Sequence, residues 1–144
     1  MKNNSLQFLG LRIDEFLFGV PVEFVQDVLL TPASTPIPLA PPSILGLINL
    51  RGRIVTAIDM GICLGLTTMD MKKNSMCVII EHEHDLYALV VDTVGEVMTL
   101  SPPISDSHTL DETWQKFSIG VHALEKELMV LIDCQKFMES LLIS

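Results

Sequence analysis

Two histidines near the middle of the chain are the residues best suited to bind a metal ion. His82 and His84 alternate with three acidic residues, Glu81, Glu83 and Asp85. In an extended strand alternate side chains point to the same face, so both imidazoles could coordinate one metal. The competing interpretation is a solvated turn between two apolar strands. It is favoured because no third group of ligands lies nearby in the sequence.

Residues for covalent catalysis or phosphate binding do not form a recognisable motif. The cysteines Cys63, Cys77 and Cys134 are widely spaced, and the chain has neither a Gly-x-Ser-x-Gly sequence nor a glycine-rich loop followed by Lys-Ser or Lys-Thr. No pair of carboxylates stands out as a general acid and base. Three separated cysteines are typical of buried, reduced thiols in a cytoplasmic protein. We therefore predict a protein that is not an enzyme and uses no cofactor.

Composition argues against two further classes of protein. The chain has 144 residues, 49% of them hydrophobic, which is enough to fold around a core. Its net charge is −9, from 18 acidic and 9 basic residues, and the basic residues do not form the cluster that a nucleic-acid-binding protein needs. No apolar run approaches the roughly 20 residues of a membrane span, and no secretion signal is recognisable. We expect neither nucleic-acid binding nor direct membrane insertion.

An arginine at a predicted hairpin turn is the best candidate for contact with a partner. Leu47–Leu50 and Ile54–Ile58 are apolar arms, and Arg51 and Gly52 lie between them. Glycine can adopt the positive φ that such a turn requires. An arginine there can make bidentate or stacked contacts with another protein. The alternative is an ordinary solvated turn arginine.

The hairpin belongs to a repeat that covers most of the chain. A shift of 74 positions places Gly46–Asp59 on Gly120–Asp133, and a shift of 69 positions places Phe8–Val28 on Cys77–Val97, both without gaps. In each copy the closing Asp precedes a predicted short helix. The two hairpins differ at their turns, which suggests that the first turn has a task of its own.

The repeat predicts an all-β fold with a few short helices, in one domain over residues 1–144. Each of two related lobes would contain a hairpin, a crossover, a proline-rich loop, and a second hairpin followed by a helix. The first crossover, Val22–Leu30, is predicted as a short helix or an irregular segment. The helices are predicted at Met60–Leu64 and Cys134–Leu142, and the seam between the lobes near Thr67–Ser75. Two sets of about five short strands favour two small closed barrels over one open sheet.

The segment from Gly46 to Asp59, Gly-Leu-Ile-Asn-Leu-Arg-Gly-Arg-Ile-Val-Thr-Ala-Ile-Asp, resembles the Gly-x-x-Asn-Leu-Arg-Gly-x-Ile-x-x-x-x-Asp signature of the CheW family. The proline loop Thr35–Pro41 and the segments Val25–Val28 and Val90–Val97 are also similar to parts of that family. The resemblance spans about Leu6 to Leu142. It implies two SH3-like five-stranded barrels, and an adaptor that links chemoreceptors to the sensor kinase CheA in cytoplasmic arrays at the membrane.

The resemblance also implies where the partners bind. The cytoplasmic tip of the receptor, a helical hairpin, would dock in a groove between the lobes, and a kinase regulatory domain of the same fold would pair barrel to barrel. The positions that match receptor contacts or their support are Val22, Val25, Asp27, Gly46, Arg51, Val94 and Val97, while Asn49 and Gly52 match the turn that shapes the same surface.

Three positions depart from the family pattern. Asp27 stands where Glu is usual, Met60-Gly61 where Leu-Arg is common, and Ala88 where Gly is frequent. These departures leave open which receptors the chain serves. The candidates are flagellar chemotaxis and a related array that controls pili, gliding or second messengers.

Overall fold

The computed structural model describes residues 6–66, 75–100 and 112–143, apart from the side chains of Leu6, Leu142 and Ile143. Most of the predicted seam, residues 67–74, lies outside the described residues. The strands are β1 (Leu6–Ile13), β2 (Phe16–Pro21), β3 (Val25–Leu30), β4 (Ile44–Leu50), β5 (Arg53–Asp59), β6 (Met76–His82), β7 (Asp85–Val91), β8 (Thr93–Leu100), β9 (Ser118–Ala123) and β10 (Leu128–Ile132). The helices are a 3₁₀-helix (Val22–Phe24), α1 (Met60–Cys63), α2 (Glu112–Phe117) and α3 (Cys134–Ile143).

The ten strands form two five-stranded sheets, which confirms the predicted fold class. One sheet has the order β8-β1-β2-β10-β9 and the other β3-β6-β7-β5-β4. Strands five numbers apart occupy equivalent places, because β1 to β5 come from the first sequence copy and β6 to β10 from the second. Each sheet therefore joins the first hairpin of one copy to the third strand and second hairpin of the other.

The chain accordingly divides into two compact units that are not its two halves. Unit 1 consists of residues 1–24 and 94–144, and unit 2 of residues 25–93. The boundaries between the units lie at 24/25 and 93/94. A sequence repeat shows which segments are equivalent, but it does not show which copy each strand pairs with.

The segment Val22–Leu30 differs from its predicted form. Only Val22–Phe24 is helical, as a single 3₁₀ turn, and Val25–Leu30 is strand β3, antiparallel to β6. The valines recur at a helical spacing, but β-branched residues also suit strands, and pairing with β6 decides between the two. The register of this pairing shifts between Val25 and Asp27.

Both copies end in an Asp-capped helix, as predicted. Asp59 Oδ1 accepts a hydrogen bond from the Ile62 N–H at 3.1 Å, and Asp133 Oδ1 accepts one from the Lys136 N–H at 3.1 Å. These bonds satisfy backbone donors that the first helical turn leaves unpaired. After α1 the chain turns at Gly65, whose φ of 79° favours glycine.

Each unit has its own apolar cluster. The cluster of unit 2 contains the buried residues Ile48, Val55, Ala57, Cys77, Ile79, Ala88 and Val90. The cluster of unit 1 contains Phe8, Leu17, Leu100, Met129 and Leu131. Strand β4 alternates buried and exposed residues, whereas β2, β6, β7 and β10 each contain a run of four buried residues, so both faces of these strands are covered.

Candidate functional site

The turn between β4 and β5 contains two successive residues with positive φ. The φ angle is 53° at Arg51 and 85° at Gly52, and Leu50 pairs with Arg53 across the turn. These features are typical of a type I′ turn, which matches the twist of a hairpin. The side chain of Asn49 supports the turn, because its Oδ1 accepts a hydrogen bond from the Gly52 N–H at 2.9 Å.

Arg51 adopts this conformation at a cost. A residue with a side chain costs roughly 1–2 kcal/mol in the left-handed region, whereas glycine does not. The Arg51 side chain is 81% exposed, so its burial does not offset that cost. An exposed residue held in a strained conformation is a sound candidate for contact with a partner.

Arg51 contacts Asp27 of β3, on the opposite edge of the strand order. Arg51 Nη2 lies 3.4 Å from Asp27 Oδ2, while Asp27 Oδ1 accepts a hydrogen bond from the Val28 N–H at 2.8 Å. In a flat sheet the three intervals from β5 to β3 would span about 14 Å. The sheet of unit 2 must therefore curl until its edges approach each other at this end.

The pair orients the arginine more than it stabilises the fold. The Asp27 side chain is 36% exposed, and exposed ion pairs contribute only about 0–1 kcal/mol. The carboxylate is itself held by the backbone N–H of the next residue. The guanidinium is thus directed by a fixed group while most of its surface stays open to a partner.

A pocket of ≈ 220 Å³ opens beside this pair, and we call it the mouth pocket. It is lined by the apolar side chains of Leu50, Ile79 and Leu86 and by the polar or charged side chains of Gln26, Asp27, Arg51, Arg53 and Glu81. Pockets for drug-sized ligands usually measure about 300–1,000 Å³. The mouth pocket is smaller, and its size suits one or two side chains of a protein partner.

Gly46 in β4 lets the proline loop pack directly against this hairpin. It is buried, its φ is +146°, and a Cβ atom there would lie 2.7 Å from the carbonyl carbon of Thr35 and nearer still to the oxygen. The backbones of Thr35 and Leu47 exchange hydrogen bonds of 2.9 and 2.8 Å at the same place. Only glycine allows the proline loop to approach β4 this closely.

The four valines of the predicted site are divided between the units. Val25 is half-buried on β3 and pairs with Ile80. Val22, Val94 and Val97 belong to unit 1, where Val97 is 51% exposed on β8 and the other two are half-buried. Within unit 2 the structure brings Asp27, Asn49, Arg51 and Gly52 together, although Asp27 is distant from the turn in sequence.

Two residues of this surface, Arg53 and Glu81, are not among the residues that the sequence predicted to contact a receptor. Both line the mouth pocket. Glu81 follows Cys77 and Ile79 at every second position, and Arg53 likewise precedes Val55 in the alternation of β5. A charge that continues an inward-facing row at the end of a strand was the signal that could have found them.

The alternative metal site required His82 and His84 to lie on one face of an extended strand, and the structure has no such strand there. Glu83 and His84 have φ values of 50° and 75°, and His82 pairs with Asp85, so the segment is a tight turn and not an extended strand. The two imidazoles therefore do not share a strand face. In the three described stretches, no group of three or more His, Cys, Asp or Glu side chains could hold a metal ion.

The cysteines are poor nucleophiles in these positions. Burial raises the pKa of Cys63 to about 11 and that of Cys134 to about 12, and it also raises the pKa of Cys77. With these raised pKa values all three thiols stay protonated near neutral pH, and the thiolate is the reactive form.

The longest helix in the described part of the chain has 10 residues, and none there could span a bilayer.

Unit 1 has a different ion pair at its hairpin. Arg12 Nη1 lies 3.1 Å from Glu127 Oε1 and Arg12 Nη2 lies 2.6 Å from Glu127 Oε2, a bidentate contact. The hydrogen bonds from Arg12 lower the pKa of Glu127, and the same bonds raise the pKa of Arg12. Stability from a carboxylate with a lowered pKa is present above the pKa of the unfolded chain and is lost as pH falls through the folded value.

We expect Arg12→Gln to raise the pKa of Glu127 towards its ordinary value, because the carboxylate loses its two charge-assisted donors. Titration of the side-chain carboxyl carbon by NMR measures this shift. The matched control is Lys136→Gln, which removes an exposed cation of unit 1 that lies outside the pair. An unchanged Glu127 titration in Arg12→Gln would show that the pair does not persist in solution.

The fold is similar to that of a known scaffolding protein. The crystal structure of scaffolding protein TtCheW from Thermoanaerobacter tengcongensis is similar, with a TM-score of 0.84 and 26% sequence identity over 94% of this chain and 93% of that one. A chemotaxis protein CheW from Rhizobium meliloti is 24% identical, over 92% of this chain and 87% of its own length. Protein PilI from Pseudomonas aeruginosa is 29% identical over 60% of this chain and 48% of its own length.

A family model decides the assignment. The CheW-like domain matches residues 7–142, nearly the whole chain. The chain therefore belongs to the CheW-like domain family, as the Asn-Leu-Arg-Gly hairpin predicts.

Proposed function

We propose that this chain is a non-enzymatic adaptor that couples chemoreceptors to a CheA-type histidine kinase in cytoplasmic arrays at the membrane. Family membership and the similarity to scaffolding protein TtCheW support this role. The observation that carries it is the exposed Arg51, held in a strained turn beside Asp27 and the mouth pocket. The equivalent hairpin of unit 1 has Glu125-Lys126 at its turn and lacks this arrangement.

The proposed receptor site uses the residues of unit 2 in different ways. Arg51 and Asp27 are accessible and contact the receptor tip, whereas Asn49 and Gly52 hold the turn and Gly46 holds the loop beneath it. Val25 of unit 2 and Val22, Val94 and Val97 of unit 1 are the further predicted contacts. The regulatory domain of the kinase is the second partner, through pairing with a domain of the same fold.

Signal transfer through such an adaptor requires that receptor binding and kinase activity be thermodynamically coupled. A receptor can change kinase activity only if it contacts the adaptor differently in its two signalling states. A coupling of 1–3 kcal/mol is typical of such systems. Because the pair of Arg51 and Asp27 is exposed, breaking it costs at most about 1 kcal/mol, so Arg51 can exchange Asp27 for a group on the receptor.

A second candidate is the same adaptor role in a related array, with pili, gliding or second messengers as its output. The similarity to protein PilI supports this alternative. The residues of the proposed site are the same in both cases, so the identity of the receptors distinguishes the two.

Co-sedimentation tests the proposal directly. The purified protein is mixed with the kinase and with receptor-containing membranes from the same organism, and kinase activity is measured in the pellet. We expect the protein to pellet with both partners, and kinase activity to rise only when all three are present. A protein that stays in the supernatant and leaves kinase activity unchanged with either kind of array would contradict the adaptor role.

A further inference from the structure

At two equivalent positions the two units carry residues of opposite charge. The shift of 69 positions places Arg12 on Glu81, and the shift of 74 positions places Arg53 on Glu127. Strand register confirms this equivalence. Arg12 pairs with Leu17 as Glu81 pairs with Leu86. The Leu124 N–H donates to the Glu127 carbonyl across its hairpin turn, where Leu50 pairs with Arg53 in the other unit.

The charged residues at these positions form an ion pair in unit 1 but not in unit 2. In unit 1 the bidentate pair of Arg12 and Glu127 joins β1 to the β9–β10 turn. In unit 2 the side chains of Arg53 and Glu81 line the mouth pocket, and these two described residues form no ion pair with each other. The apolar side chains of Leu50 and Leu86 are half-buried there and are accessible to an incoming group.

The charges of unit 2 indicate what enters this pocket. In its described parts, residues 25–66 and 75–93, Arg51 and Arg53 are the only Lys or Arg residues. The same stretches contain six acidic residues, namely Asp27, Asp59, Glu81, Glu83, Asp85 and Asp92. Both cations of these described stretches thus line one pocket, Arg51 from within the turn and Arg53 from the residue directly after it. A carboxylate of a partner finds its complement there and nowhere else on the described surface of unit 2.

We propose that Arg53 and Glu81 are specificity-determining residues that select an acidic and an apolar side chain on the docking helix of the receptor. The apolar side chain enters the mouth pocket against Leu50 and Leu86, and the carboxylate binds between Arg51 and Arg53. Glu81 repels an acidic residue of the receptor from its own side of the mouth pocket and so sets the orientation of the helix. On a helix such side chains lie roughly three or four positions apart. This inference rests on the proposed adaptor function.

The double variant R53E/E81R tests the proposal, because it copies the arrangement of Arg12 and Glu127 into unit 2 and keeps the net charge. We expect its affinity for a soluble fragment of the receptor tip to fall at least about tenfold, since like charges then meet at the carboxylate. The matched control is R12E/E127R, which reverses the pair of unit 1. Its affinity should stay within about twofold of the wild type. Thermal unfolding checks that both variants fold.

Charge reversal on the receptor provides a second, independent readout. Each acidic residue of the fragment is changed to Lys, and one of these changes should weaken binding to the wild type and restore binding to R53E/E81R. Wild-type affinity in R53E/E81R would overturn the proposal and leave the adaptor function intact. A wild-type protein that binds no receptor fragment would instead contradict the adaptor function. If R53E/E81R does not fold, R53Q replaces it, and unchanged binding by that folded variant overturns the proposal.

Discussion

Arg51→Glu is expected to abolish receptor-coupled stimulation of the kinase while leaving the fold intact. The change reverses the charge of an 81% exposed side chain and places a second carboxylate opposite Asp27. The receptor carboxylate proposed to bind at Arg51 would also meet a like charge, which costs several kcal/mol at an interface, or more than a hundredfold in affinity at about 1.4 kcal/mol per factor of ten. Kinase activity in pelleted arrays measures the effect, and thermal unfolding measures the fold.

Two further variants show whether the guanidinium or the turn is responsible. Arg51→Asn removes the cation but suits a positive φ, so it should weaken coupling while unfolding at the wild-type temperature or slightly above. Lys126→Glu reverses a charge at the equivalent turn of unit 1 and should leave coupling unchanged. If Arg51→Glu prevents folding while Arg51→Asn retains full coupling, then Arg51 has a structural role and the proposed contact is wrong.

Gly46→Ala is expected to cause the largest loss of stability of any change at the site. The new methyl group would overlap the Thr35 carbonyl, and the backbone at φ +146° is unfavourable for alanine. Overpacking and backbone strain together suggest a cost of about 2–5 kcal/mol. For a chain of this size we expect the melting temperature to fall by about 5–15 °C.

The matched control for this variant is Gly65→Ala. Gly65 also has a positive φ, of 79°, but among the described residues no atom outside Gly65 and its two chain neighbours lies within 4 Å of the position of a Cβ atom. It should therefore lose only the roughly 1–2 kcal/mol of backbone strain. Amide exchange gives a local readout, because the hydrogen bonds between Thr35 and Leu47 should lose protection in Gly46→Ala alone. Equal stability of the two variants would show that the proline loop moves away without cost.

Local features of the chain were predictable because they depend on residues close together in sequence. Short apolar runs predicted the hairpin arms, Gly52 predicted the turn between them, and Asp59 and Asp133 predicted the capped helices. The family could also be predicted, since the hairpin signature of Gly46 to Asp59 is itself local. The segment Val22–Leu30 was misassigned because its valines fit a helical period and a strand equally well.

The tertiary structure decided how the two sequence copies combine. The repeat shows that ten strands form two equivalent sets, but pairing of β3 with β6 and of β10 with β2 exchanges strands between the copies. The same pairing brings Asp27 to Arg51 and leaves Arg53 and Glu81 at a pocket, while Arg12 and Glu127 close the equivalent place. Such contacts depend on how each sheet curls and on which edges meet, and no local pattern of residues specifies either. For this protein the sequence alone determined the hairpins, the two Asp-capped helices and the arginine at the turn, and only the pairing of distant strands made a surface from them.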